Sequence, residues 1–325
     1  MRRRDLLDLI VAAAAMTPFR AAAQPGLPTI GYFSNRSAEA EAPIRTAFLD
    51  ELQKSGFVVG RNVAIEYRFA EGNRDRLPVL AAELVGLQVA VLAATEHGAA
   101  LAAKTATATI PIVFTSGFDP VQAGLVASLS RPGGNATGVA LFTSELGPKR
   151  LSLLRELLPR AGLIGFLVDP KAPSASLQTK EMETAAQSLG QPILVLATRD
   201  KEEVEKAFAM LAERRAAGLL YGASTLFQTI ADKVIALAAR YQIPALYEWR
   251  EFVTAGGLMS YSTSRTEIGG QLGNYVGRIL KGNAPADLPV VQSTRFELVV
   301  NLNTAKALGL SVPQSILQRA DEVIE

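Results

Sequence analysis

Residues 110–138 read IPIVFTSGFDPVQAGLVASLSRPGGNATG, and this stretch decides the fold class. The apolar run Ile112-Val113-Phe114 has the length and β-branched content of a buried strand. It breaks into Thr115, Ser116 and Gly117, and then into Asp119-Pro120. Aspartate before proline suits a helix start, because the carboxylate accepts the first free amide hydrogens and proline has no donor to leave idle there. The spacing predicts a helix over 121–129, ended by Arg131-Pro132-Gly133-Gly134-Asn135. A strand, polar loop and helix in this order put hydrogen-bonding groups at the strand's C-terminal end, where open α/β sheets hold ligands.

The same order recurs on both sides. Before it come a strand at 29–33 (TIGYF), a helix over 40–55, an alternating strand over 63–69 and a helix over 76–85. A continuous apolar run at 89–95 then suits a strand covered on both faces, and an alanine-rich helix fills 96–107. Beyond the stretch a strand is expected at 137–142, then a leucine-rich helix from Ser144 to a stop at Pro159. Strands follow at 164–169, 193–197, 217–221, 245–248 and 258–262, with helices over 176–189, 225–241 and 267–280 between or after them. Asp200 and Glu203 have the spacing of a capping box, opening a further helix. The segment 290–301 and a tail that includes 304–308 complete the chain. Repeated β-α units of this length predict an α/β fold with parallel, doubly wound sheets.

An internal repeat divides these units in two. Ile30-Gly31-Tyr32-Phe33 matches Ile164-Gly165-Phe166-Leu167 at an offset of 164 − 30 = 134. Ile110-Pro111-Ile112-Val113 matches Ile243-Pro244-Ala245-Leu246 at 243 − 110 = 133. Near-equal offsets predict two equivalent Rossmann-like lobes joined by a hinge, with a cleft between them. The expected division is residues 28–140 plus about 263–289 in the first lobe, and 141–262 plus about 290–325 in the second.

Composition narrows the function. The 325 residues are 49% hydrophobic and 20% charged, with a formal charge of +2 and both signs interspersed, so no nucleic-acid footprint is visible. There is no cysteine, which removes disulfides, thiolate metal sites, a cysteine nucleophile and lipid attachment at an N-terminal cysteine. The single histidine, His97, leaves a His-rich metal site without ligands. Residues 1–23 carry the basic Arg2-Arg3-Arg4, a short apolar core over 9–16 and the small residues Ala21-Ala22-Ala23, the pattern of a cleaved signal peptide. Arg3-Arg4-Asp5-Leu6-Leu7 also resembles a twin-arginine signal, so a periplasmic protein exported by either route is expected.

Nucleotide motifs fail. Gly277 to Gly282 is followed by Asn283 instead of Lys, and Gly269-Gly270-Gln271-Leu272-Gly273 lies inside a helical stretch. The candidate ligand-binding residues are polar and aromatic groups at strand ends. Ser34, Asn35, Thr115, Ser116 and Ser224 are small hydrogen-bonding residues there, which turn chemistry alone also explains. Asp119 and Asp169 read as helix caps or as anions facing a cationic ligand, and the two roles are compatible. Thr95-Glu96 and Tyr247-Glu248 end strands, where a carboxylate either caps the next helix or binds an ammonium. Tyr221, Tyr247, Trp249 and Tyr261 stand at or beyond strand ends of the second half, as cleft aromatics or as core. No catalytic or metal residue and no cofactor is expected.

These residues bring a family into view. Gly60-Arg61-Asn62-Val63, Asp119-Pro120-Val121 with Gly124-Leu125-Val126, and Arg131-Pro132-Gly133-Gly134-Asn135 with Thr137-Gly138-Val139 are its carriers in the first half. Lys149-Arg150-Leu151, Gly256-Gly257-Leu258-Met259-Ser260-Tyr261 and the tail from Ala286-Asp287-Leu288-Pro289 to Arg319-Ala320-Asp321-Glu322-Val323-Ile324 continue it. Over nearly its whole mature length the chain resembles the substrate-binding proteins of ABC transporters of the tryptophan/tyrosine-type family. The resemblance implies a type I periplasmic-binding-protein fold that closes on a small molecule, plus ABC permease and ATPase subunits as partners. A monomer suits that action. The chain departs from the family after Tyr261, where it has Ser262 for the usual Gly and Gly269-Gly270 for a later Tyr-Arg pair. For an amino-acid-like ligand, Asp119 or Glu96 is expected to take the ammonium, hydroxyls and helix N-termini the carboxylate, and tyrosines the side chain. The alternatives are an exported sensor that docks on a membrane receptor, and a hydrolase on the same fold, which lacks a Gly-x-Ser-x-Gly elbow here.

Overall fold

The computed structural model describes residues 26–158 and 162–325; the expected leader at 1–23 and the helix stop at Pro159 lie outside them. The first-half strands are β1 (Thr29–Ser34), β2 (Ala64–Phe69), β3 (Val91–Thr95), β4 (Ile112–Ser116) and β5 (Ala136–Ala140). Then come β6 (Ile164–Val168), β7 (Ile193–Ala197), β8 (Gly218–Tyr221), β9 (Ala245–Tyr247) and β10 (Met259–Thr263). The last are β11 (Val291–Gln292), β12 (Phe296–Asn301) and β13 (Glu322–Ile324). One sheet has the order β11-β5-β4-β3-β1-β2 and the other β13-β12-β10-β9-β8-β6-β7. The first is parallel throughout. In the second, β12 runs antiparallel to β10 while the other pairs are parallel.

The order β2-β1-β3-β4-β5 is repeated as β7-β6-β8-β9-β10. The matched sequence words therefore occupy matching places: the Ile-Gly words lie on β1 and β6, and the Ile-Pro words lead into β4 and β9. Both sheets are buried on two faces. On β1, Ile30 and Tyr32 pack with Phe48, Leu52, Leu272 and Val276, while Phe33 on the opposite face packs with Leu84 and Ala100. On β6, Phe166 and Val168 pack with Leu154 and Met182, and Leu167 packs with Phe208 and Val234. This alternation follows from the two-residue period of a strand.

The chain passes between the sheets three times, after β5, after β10 and after β11. Against the expected return at about 290, Val291 and Gln292 still pair with Val139 and Ala140, so the chain leaves the first sheet only after Gln292. The helix Arg265–Leu280, although it follows a strand of the second sheet, packs on the helix Ala42–Lys54 of the first lobe. None of the helices among the described residues is long and apolar enough to cross a membrane.

The helix expected at 121–129 does not form. Asp119 Oδ1 accepts from the Val121 and Gln122 amides at 2.8 and 3.3 Å, opening a turn as the dipeptide suggests. Gly124, at φ +71°, ends it at once. The Leu125 amide donates to the Pro120 carbonyl at 2.9 Å and the Gly124 amide to the Val121 carbonyl at 3.0 Å, the paired bonds of a helix C-terminus after a single turn. The helix expected at 225–241 is divided at Ile230 into Thr225–Thr229 and Ala231–Arg240. A short helix, Arg250–Thr254, follows β9 where none is expected.

Candidate ligand cleft

Residues beyond the C-terminal ends of β1, β3 and β4 in one lobe and of β6, β8 and β9 in the other line a single cavity. In each sheet the strand order reverses between the first and third strands of the half, which is where a doubly wound sheet opens a crevice. The cavity has about 130 Å³ of room for the centres of water-sized atoms.

The first-lobe wall starts with Arg36, just past β1. Its guanidinium bonds Glu41 Oε2 at 3.0 Å, the Thr95 carbonyl at 3.4 Å and, across the lobes, Gln228 Oε1 at 3.1 Å. Glu41 is wholly buried and also accepts from Tyr32 Oη at 2.9 Å and Ser34 Oγ at 3.0 Å, so its charge anchors Arg36 in place. Arg74 makes a second interlobe contact, donating at 2.9 Å to the Lys171 carbonyl and at 2.9 Å to Thr225 Oγ1.

Glu96, after β3, adopts φ +129°, a strained conformation for a residue with a Cβ. Its Oε1 accepts from the Ala99 amide at 3.1 Å and caps the helix His97–Ala106. Burial raises the Glu96 pKa against the opposing influence of Arg36. His97 sits in the wall, with Nδ1 3.1 Å from Ser116 Oγ and its ring edge-on to Phe118 at 4.7 Å. Burial lowers its pKa to about 4, so it is neutral at neutral pH.

The second-lobe wall is built on Ser224, Gln228, Glu248 and Trp249. Ser224 donates to Asp169 Oδ2 at 2.6 Å and caps the next turn through the Leu226 amide at 3.1 Å. Glu248 is 8% exposed, and burial raises its pKa while Arg150, Arg265 and Arg36 oppose the shift. The cavity thus holds two carboxylates, one per lobe, and two guanidinium groups.

Of the residues expected from the sequence, Glu96, Thr115, Ser224, Glu248 and the aromatic Trp249 line this cavity. Asp169 lines a neighbouring cavity that shares Arg74 and Thr225 with this one, holding Ser224 and accepting from the Lys171 amide at 2.9 Å. Ser34, Asn35, Thr95 and Ser116 are buried behind the wall, and Asp119 is spent on its own turn. Ser34 bonds Glu41, Thr95 Oγ1 reaches the Phe33 carbonyl at 3.4 Å, and Ser116 Oγ donates to the Phe118 carbonyl at 2.9 Å.

The tyrosines do not cover the cavity. Tyr221 and Tyr247 stack on each other at 5.3 Å inside the second lobe, and Tyr247 stacks on Phe252 at 5.0 Å. Their strand register aims them at the helix layer with Leu219 and Phe208. Tyr261 stacks on Phe296 at 5.7 Å, across the β10–β12 pair. The aromatic rings of the cavity are Phe118, His97 and Trp249. Arg36, Arg74, Phe118, Thr143 and Gln228 were without a sequence signal of their own beyond nearness to strand ends.

Comparison with known proteins agrees with this architecture. The model of a family described as ABC transporter substrate binding protein matches residues 36–324. The chain belongs to that family. This substrate-binding protein is 27% identical over 267 residues to a protein of Clostridioides difficile strain R20291 named "Tyrosine-binding protein", covering 82% of this chain and 76% of that one. Among solved structures, a conserved domain protein of Vibrio cholerae is 27% identical and superposes with a TM-score of 0.83, over 91% of this chain and 99% of that one. An ABC domain from Streptococcus pneumonia in complex with L-Trp superposes with a TM-score of 0.82 at 23% identity, over 92% of this chain and all of that one (100%). The fold is the type I periplasmic-binding-protein fold, two α/β lobes of mostly parallel strands.

Proposed function

We propose that this substrate-binding protein captures an amino-acid-like solute between its lobes and passes it unaltered to a membrane permease and ATPase. The observation that carries the reading is the charge pattern of one cavity. Glu96 and Glu248 come from opposite lobes, and Arg36 and Arg74 lie beside them. A zwitterion satisfies both signs, whereas an ion of either sign leaves one pair of buried charges opposed. The ligand's ammonium lies between the two carboxylates. Its carboxylate meets the guanidinium side and the hydroxyls of Thr115 and Ser224. Phe118, His97 and Trp249 flank its side chain. The names of the tyrosine-binding relative and of the L-Trp complex support an aromatic amino acid as the cargo.

Binding and closure are one event in this reading. The bonds Arg36–Gln228, Arg74–Lys171 and Arg74–Thr225 span the lobes and exist only while these stand together. A solute that touches Glu96 and Glu248 at once has more contacts in the closed form, and that difference shifts the equilibrium. The crossings after β5, β10 and β11 are the hinge. The protein acts as a monomer in the periplasm, carried there by the signal over residues 1–23.

A hydrolase would need a free nucleophile, and the Ser116 beside His97 is fully buried with its hydroxyl engaged by the Phe118 backbone. Thermal unfolding across a panel of L-amino acids, amines and small carboxylates tests the proposal. An upward shift with an amino acid, larger than with its amine or its acid alone, is the expected result; no shift with any member of the panel refutes it.

A further inference from the structure

A second cavity lies beside the crossing that follows β10, with about 350 Å³ of room in the same measure. Pro43 of the first lobe forms one side, and β10, β12, β13 and the start of the helix Arg265–Leu280 form the rest. Trp249 lines both this cavity and the cleft, so the two are neighbours.

The charges here are nearly balanced: Arg250, Arg265 and Arg295 against Glu251, Glu297, Asp321 and Glu322. Most are already committed. Arg250 holds Glu322 through two bonds of 2.6 and 2.7 Å. Arg265 stacks on Trp249 at 4.5 Å, donates to the Ala40 carbonyl at 3.1 Å and lies 3.5 Å from Glu251. Asp321 accepts from the Leu298 amide at 2.8 Å. Arg295 and Glu297 remain, and among the described residues neither forms an ion pair or a side-chain hydrogen bond. Arg295, just before β12, is exposed at the cavity's rim, and Glu297, on β12, is half-buried in its wall. The hydroxyls of Ser262 and Thr263, residues only 4% and 2% exposed, also have no protein partner. Thr263 and Ser262 stand in the stretch where the chain departs from its family's usual Gly.

We propose that this cavity is a second solute site, distinct from the cleft, and that it takes a small zwitterion of the α-amino-acid class. With Arg250–Glu322 and Arg265–Glu251 paired, a zwitterion offers its carboxylate to Arg295 and its ammonium to Glu297, whereas an anion or a cation meets only one of the two. Ser262 lies directly across from Glu297 in the β10–β12 pair and therefore on the same face of the sheet, so a ligand held by Glu297 gives its otherwise dry hydroxyl a partner. The site does not rest on the cleft reading, because it shares no charged residue with that cavity.

The test uses L-serine as probe and the full chain carrying Glu96→Gln and Glu248→Gln, which removes both cleft carboxylates. Trp249 is the only tryptophan, so its fluorescence reports on the shared wall. A saturable change with L-serine is expected, at least about tenfold tighter than with L-lactate or ethanolamine. Adding Arg295→Ala with Glu297→Ala weakens it at least about tenfold, and Ser262→Ala weakens it while leaving the folded chain intact. Crystals grown with L-serine place the amino acid between Arg295 and Glu297. Absence of a saturable change, equal binding of the three probes, or binding indifferent to the double alanine variant overturns the proposal. Failure of the cleft reading looks different: the unsubstituted chain then binds L-amino acids at this second cavity alone, with Glu96→Gln and Glu248→Gln without effect.

Discussion

Two adjacent glycines of the helix Arg265–Leu280 are expected to respond to alanine in opposite directions. A Cβ on Gly269 would lie 2.2 Å from the Ile44 carbonyl oxygen and 2.9 Å from Ala47 Cβ, whereas one on Gly270 meets nothing within 4 Å. Gly273 and Gly277 continue the first pattern, with a Cβ at 2.5 Å from the Phe48 carbonyl and at 2.7 Å from Ser55 Cβ. Glycine every fourth residue thus lets this helix lie against the helix Ala42–Lys54 almost backbone to backbone. Gly269→Ala must push the two helices apart by about 1 Å to restore an ordinary contact. Overpacking of that kind costs about 3 kcal/mol, and the better helix propensity of alanine returns about 1, leaving a net loss of about 2 kcal/mol. Gly270→Ala keeps only the propensity gain, about 1 kcal/mol of added stability. In thermal unfolding the first variant falls by about 4–8 °C and the second rises by about 2–4 °C. A Gly269→Ala protein as stable as Gly270→Ala would refute the close helix packing that sets the start of the second crossing.

Further outcomes follow from the cleft. Glu96→Gln and Glu248→Gln each weaken amino-acid binding by about 3 kcal/mol, more than a hundredfold in calorimetric Kd, because each leaves the ligand ammonium short of a buried partner. Arg74→Ala removes two interlobe bonds, and stopped-flow release of the ligand should quicken by about tenfold with little change in the association rate. His97 has a folded pKa of about 4 against an ordinary 6.5, so on acidification the unfolded chain takes up its proton first. Its contribution is complete above pH 6.5 and drains away as the pH falls to 4, by up to about 3 kcal/mol. The raised pKa values of Glu96 and Glu248 act in the opposite direction, so the difference between the unsubstituted chain and His97→Gln isolates this effect. A difference that is flat from pH 7 to about 4 would show that the imidazole is not held neutral.

The fold was readable where apolar runs and punctuation agree. Ile112-Val113-Phe114 and its repeat at Ala245-Leu246 are strands because each is covered on both faces, and the near-equal offsets reflect their matching places in two sheets. The helix expected at 121–129 fails on one residue: Gly124 stands inside the run, and its left-handed backbone ends the turn. The carboxylates Glu96 and Glu248 were found because a polar residue ending a buried run must leave the core. The tyrosines misled for the same reason in reverse. Tyr221 and Tyr247 still lie on strands, where the two-residue period and not the position near the end decides which layer receives the ring. Arg74 is illegible in the sequence, because its partner Thr225 lies about 150 residues away, and Arg36, although anchored by the nearby Glu41, meets the other lobe only through Gln228, about 190 residues away.

Calorimetric titration of the full chain with each L-amino acid in turn is the most direct test of the cleft. One-to-one binding of at least one aromatic amino acid, abolished in the Glu96→Gln/Glu248→Gln protein, is the result that a zwitterion held between two lobes requires. Silence with every aromatic amino acid, or aromatic binding that survives loss of both carboxylates unchanged, would contradict it.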